Sequence, residues 1–204
     1  MYSVISTFHQ TIIGSIPPQY VKQYERIREN VAQADNAEYQ KDYKDFWRMN
    51  VSQLSKDFYA RYFGLLKAPT TPDLSGLCDT LYEVSTRLDG TRSLQFSFAT
   101  KLLHILNPHL PVYDSRVARF FLLKAHTSGT VKERTEKLTA FHNFLVADYA
   151  RIINSGQLAP AIAAFRERFN PQHHTDEKIV DWLIWALVGL GEDGALVDGR
   201  IVYS

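Results

Sequence analysis

Between residues 3 and 190, apolar side chains return at nearly every third or fourth position, and proline or glycine interrupts the pattern at short intervals. That period marks amphipathic helices and restricts the chain to an all-α, multi-helix globular fold. Residues 3–14 make a first short segment. Pro17 and Pro18 break it and open a second helix running to about Ala34, because proline is tolerated in a first turn. An aromatic-rich segment covers 44–48. Asn50 or Ser52 then caps a helix reaching Leu66, with Leu54, Phe58, Tyr62 and Leu65 on one face. Residues 68–73, with Pro69 and Pro72, read as loop. Further helices are expected over 74–88, 94–107, 116–123, 131–154, 158–169 and 176–190. After these the pattern changes. Asp198-Gly199 between Leu196-Val197 and Ile201-Val202 predicts a small C-terminal β-hairpin. The expected organisation is one domain over 1–204, with two lobes meeting near 67–73 as the alternative.

Of the 204 residues, 45% are hydrophobic and 13% aromatic. A chain of this length buries roughly 70% of its unfolded surface, so its core needs no disulfide or metal. The single cysteine, Cys78, rules out an internal disulfide framework and a cysteine-rich zinc or iron–sulfur site. It points to a reducing, cytoplasmic setting. Residues 1–16 lack a basic leader and read as helix, not as a signal peptide. No run reaches the ~20 apolar residues of a membrane span; the most apolar, 179–190, is short and contains Asp181. The net charge is +1, so any nucleic-acid contact has to come from a local patch.

The most informative stretch is the helix–turn–helix over 94–123. In residues 93–107 the polar side chains Ser97, Thr100, Lys101, His104 and Asn107 form one stripe at helical spacing, and the rest of the circumference is apolar. The helix is therefore expected to be buried on most sides, with one polar strip. Pro108 halts it. The connector 109–113 is short and partly apolar, and Asp114-Ser115 caps a second helix carrying Arg116 and Arg119. So short a turn puts Lys101 and Asp114 within reach of each other.

Two segments here resemble the helix-hairpin-helix DNA glycosylases. Ala99-Thr100-Lys101, followed by Leu102-Leu103, looks like the segment of that family that carries a lysine. Residues 111–119, Pro-Val-Tyr-Asp-Ser-Arg-Val-Ala-Arg, look like its aspartate segment. The resemblance spans about thirty residues. It implies DNA as the partner and cleavage of an N-glycosidic bond, with Lys101 as nucleophile and Asp114 beside the sugar. Thr100, His104, Arg116 and Arg119 would be the nucleic-acid-binding residues. The chemistry coheres: a carboxylate stabilises the sugar cation, a desolvated lysine attacks as free amine, and the base is flipped out to reach them. No cofactor and no metal are implied.

Each of these residues also has a plain structural reading. Lys101 can be a solvated lysine, Asp114 an N-cap, His104 a packed histidine, and Arg116 and Arg119 members of ordinary ion pairs. The near-neutral charge and the absence of glycine over 95–99 favour the alternative of a non-catalytic helical module that binds nucleic acid or protein. A weaker alternative is a HEPN-type ribonuclease, from the spacing of Arg119 and His126. His173-His174 before Asp176-Glu177 reads as a polar helix start, since adjacent histidines diverge on a helix. Trp182 and Trp185 lie three apart on a very apolar helix, as core aromatics or as the face of a homodimer.

Overall fold

A computed structural model describes residues 1–68, 70, 73–123, 128–193, 196–197 and 200–201, the last four as backbone. Among these residues are ten α-helices: α1 Tyr2–Gly14, α2 Pro18–Glu29, α3 Ala37–Phe46, α4 Lys56–Lys67, α5 Leu74–Tyr82, α6 Phe96–Leu106, α7 Ser115–Phe120, α8 Val131–Asn154, α9 Ala159–Phe169 and α10 Asp176–Glu192. The fold is all-α, as the periodicity requires. Two-residue strands, β1 Leu196–Val197 and β2 Arg200–Ile201, pair antiparallel with Leu196 opposite Ile201. Asp198-Gly199, the expected turn between them, lies outside the described residues. No described helix is long and apolar enough to cross a membrane.

Most helices begin where a short polar side chain can hold a free backbone N–H. Asn36, Ser55, Asp73, Asp114, Thr130 and Thr175 each accept such a bond at the start of their helix. Thr130 and Glu133 form a reciprocal capping box that starts the longest helix, α8. Pro108 stops α6: the preceding Asn107 is extended, as a residue before proline prefers to be.

Several boundaries differ from the sequence expectation. The second helix stops at Glu29 and a 3-10 turn, Val31–Gln33, follows. The aromatic segment begins earlier, at Ala37, and the next helix later, behind Ser55. The helix expected over 74–88 ends at Tyr82. Beyond it, Ser55 N–H donates to the Thr86 carbonyl and Leu88 N–H to that of Gln53. Thr86 is fully buried, and Gly90 turns the chain at φ 81°. These long-range bonds satisfy the backbone in an extended form, which outweighs a weak helical propensity.

Helix α10 is the axis of the molecule. It packs against α1, α7, α8 and α9, and every residue from Lys178 to Ile184 is buried. On its Trp182/Trp185 face, a candidate dimer surface, Trp182 is buried and Trp185 half-buried, covered in part by Arg116 and Tyr20 of the same chain. Buried apolar residues from both sides of the 68–73 loop join one contiguous cluster. Truncating its centre should be costly. Leu183→Ala, at a fully buried position, should lower unfolding stability by about 2–5 kcal/mol in urea titrations.

Candidate active-site pocket

The connector between α6 and α7 is held by side chains, because it has no regular ladder of its own. His104 Nδ1–H donates to the Leu110 carbonyl at 2.6 Å. His142 Nε2–H donates to the Pro111 carbonyl at 2.9 Å. The Val112 N–H donates to Asp181 Oδ2 at 3.3 Å, and the Tyr113 N–H to Thr100 Oγ1 at 3.1 Å. Four successive residues are thus pinned by α6, α8 and α10, which fixes the place of Asp114. Asp114 Oδ1 in turn accepts the Val117 N–H at 2.9 Å and caps α7.

This arrangement decides the roles of Thr100 and His104. Both are fully buried. With its Nδ1 proton committed to Leu110, His104 receives the Tyr24 hydroxyl proton on Nε2, at 2.7 Å. Burial, reinforced by the Lys178 charge, holds its pKa well below the usual histidine range. A neutral, enclosed imidazole and a threonine spent on the connector have no surface to offer a nucleic acid. The expectation that they bind it is corrected here: they position Asp114. The polar strip of α6, whose surroundings periodicity leaves open, is buried at Thr100, Lys101 and His104.

Lys101 and Asp114 do meet in one concave pocket of about 310 Å³. Its wall combines Lys101 from α6, Asp114 and Val117 at the start of α7, Lys178, Asp181, Trp182 and Trp185 from α10, and Phe46, Trp47 and Arg48 at the end of α3 and just beyond it. The size and the mix of aromatic walls with a few polar groups suit a small-molecule or base site. Lys101 is only 9% exposed. Among the described residues its Nζ has no carboxylate at ion-pair distance and no hydrogen-bond partner; it lies 4.8 Å from the ring centre of Phe98 and 5.5 Å from that of Trp47. Burial lowers its pKa to about 8, with Lys178 pushing the same way and Asp114 opposing.

Lys178 and Asp181, one turn apart on α10, are each 5% exposed. Lys178 Nζ stands 3.8 Å from Asp181 Oδ2 and about 5 Å from the ring centres of Tyr24, Trp47 and Trp182. Asp181 Oδ1 accepts the Tyr149 hydroxyl at 2.8 Å. Burial raises Asp181 to about 6, against the pull of Lys178 and of that hydrogen bond. The sequence reading missed this pair. Its signal was present: a charge inside the most apolar run of the chain has to be buried and partnered. Trp47 and Arg48 had no such signal, since the turn after α3 that carries them, with Arg48 left-handed at φ 55°, depends on tertiary packing.

Arg116 and Arg119 stand beside the pocket and share one carboxylate. Arg116 pairs with Glu192 at 2.7 Å and stacks 4.1 Å from the ring centre of Trp185, and Arg119 pairs with the other Glu192 oxygen. Gly189 makes the stacking possible, because a Cβ there would come within 3.0 Å of the Arg116 guanidinium. His126, the other half of the ribonuclease spacing, lies outside the described residues. Among the described residues no group of three His, Cys, Asp or Glu side chains could hold a metal. No protein-family model, curated protein or solved structure matches the chain.

The depressed Lys101 carries a stability consequence. Its folded pKa lies below its unfolded value, so the unfolded state binds the extra proton and stability rises as pH climbs from about 8 toward 10.5. At neutral pH the buried charge costs on the order of 3 kcal/mol. Lys101→Met should therefore raise the melting temperature at pH 7, with the gain shrinking above pH 10. A variant that melts lower at pH 7 would contradict the placement of a charged amine in this pocket.

Proposed function

We propose that this chain is a DNA glycosylase-like protein that cleaves an N-glycosidic bond through an amine nucleophile. The observation that carries the reading is Lys101: a buried amine with no ion-pair partner among the described residues, sharing an aromatic pocket with Asp114. A lysine titrating near 8 is about one-tenth free amine at pH 7, enough to act as a nucleophile. The resemblance of 99–103 and 111–119 to the glycosylases supplies the substrate class.

In this reading the Lys101 amine adds to C1′ of the sugar of a flipped nucleotide as the bond from C1′ to the base breaks. The departing base takes the proton that the amine sheds. The C1′–O4′ bond then opens, O4′ gains a proton from water, and C1′ is left as an iminium on Lys101. The carboxylate of Asp114, fixed by the pinned connector, stabilises the positive charge that develops on C1′ and O4′. The tryptophan walls give the extruded base a stacking surface.

One observation favours the alternative of a non-catalytic binding module. Glu192 pairs with both Arg116 and Arg119 and offsets one of their two charges, which weakens any basic rim for phosphates. The two readings separate in one assay. Incubation with an abasic duplex and borohydride should give a covalent protein–DNA species whose yield rises with pH through about 8. Lys101→Ala should abolish it. Asp114→Asn, which keeps the cap, should slow base release by roughly 10²–10³-fold. Salt-dependent binding with no trapped species, at equal yield for wild type and Lys101→Ala, would leave the binding module in its place.

A further inference from the structure

Two lysines share one indole in the pocket wall: the Nζ atoms of Lys101 and Lys178 lie 5.5 and 5.1 Å from the ring centre of Trp47. Both side chains are withdrawn from water. Two ammonium groups this close in a dry site oppose each other, and the one with weaker support gives up its proton first. Their support differs. Lys178 has the Asp181 carboxylate at 3.8 Å and three aromatic rings around its head. Lys101 has two ring faces and, among the described residues, no carboxylate at ion-pair distance.

We propose that Lys178 is a positioning residue: anchored by Asp181 and its aromatic cage, it stays charged longer than Lys101 and adds to the effect of burial, enlarging the fraction of the neighbouring Lys101 that is free amine. The proposal rests on the reading of Lys101 as nucleophile and says which of the two pocket lysines performs that role. Lys178 is poorly placed to be the nucleophile itself. Its head is enclosed by Tyr24, Trp47 and Trp182, and its amine is committed to Asp181.

Other charges face the same space. Asp114 at the start of α7 favours the charged form of both lysines. Asp45 near the end of α3 and Arg48 just after it line the pocket with opposite signs, and Tyr20 lines it from α2. Tyr24 on α2 faces Lys178, and Tyr149 on α8 donates to Asp181. His104, one turn along α6, is neutral in its hydrogen bonds to Leu110 and Tyr24. His174, the residue before the Thr175 cap of α10, pairs with Glu25 and stacks on Trp182. Lys178 is therefore the buried cation that bears most directly on Lys101.

The test uses the intact protein and needs no nucleic acid. In ¹³C-lysine-labelled protein, the Lys101 Cε resonance, assigned by its loss in Lys101→Arg, is titrated by NMR. In the wild type Lys101 should titrate near 8, below Lys178. The two distances to the Trp47 ring put the amines no more than about 11 Å apart, and at an effective dielectric constant of about 20 a unit charge at that limit is worth about one pKa unit. Lys178→Met should move the Lys101 midpoint up by about that much, and the pH profile of imine trapping should move with it. Lys178→Arg should restore both. The double variant Lys178→Met/Asp181→Asn removes the buried pair together and leaves no lone charge to unfold the protein; it should keep an upward shift. An unmoved Lys101 midpoint in either Met variant, or a wild-type Lys178 that titrates first, overturns the proposal. Absence of DNA trapping with these shifts intact instead defeats the glycosylase reading alone.

Discussion

The structure around the pocket depends on how the backbone of residues 110–113 is satisfied. The segment joins two helices without belonging to either; Pro111 and Val112 are buried and Leu110 and Tyr113 half-buried, so water cannot serve all of its hydrogen bonds. An unpaired buried N–H or carbonyl costs about 1–3 kcal/mol, so a connector of this kind persists only if side chains reach it. His104, His142, Asp181 and Thr100 each supply one bond, to Leu110, Pro111, Val112 and Tyr113 in turn. Three helices are thereby fixed to one strand of chain, and Asp114 follows at its end. Asp181 takes part twice, since the carboxylate that holds Val112 also anchors Lys178. The scaffold and the electrostatics of the pocket share that side chain.

The pocket holds charge where hydrophobic packing would be more stable. Lys101, Lys178 and Asp181 are all buried, and removing ionised groups from water is expensive even when they are paired. A well-packed apolar replacement would favour folding. Retaining an amine with no ion-pair partner among the described residues, against Trp47 and Phe98 in a pocket that also holds Asp114, is the pattern expected where stability is given up for reactivity. Arg116 and Arg119 illustrate the contrast: paired with Glu192 on the flank of α10, they tie α7 to α10 at little electrostatic cost.

Much of the helical framework was legible in the sequence, because local signals and tertiary packing agree there. Thr130 with Glu133 at one end and Ser155-Gly156 at the other mark α8 at both boundaries, and Pro108 marks the end of α6. Legibility failed where long-range contacts decide the outcome. Thr86 and its neighbours leave the helical pattern to bond with Gln53 and Ser55, which no window of local sequence contains. The polar strip of α6 has helical spacing, yet periodicity cannot distinguish a strip facing water from one facing buried partners. Lys101 and Asp114 were identified from a short resemblance and do share a pocket. Lys178 and Trp47 complete it from positions far along the chain, so only the fold brings them together.

In the glycosylase reading Lys101 forms the covalent link to the sugar. Abasic aldehydes react with any accessible amine, so the borohydride-reduced adduct with an abasic duplex has to be mapped by peptide mass spectrometry. The sugar remnant should lie on the peptide that contains Lys101, with Lys178 unmodified. A remnant on the N-terminal amine, on Lys178 or scattered over exposed lysines would contradict that reading.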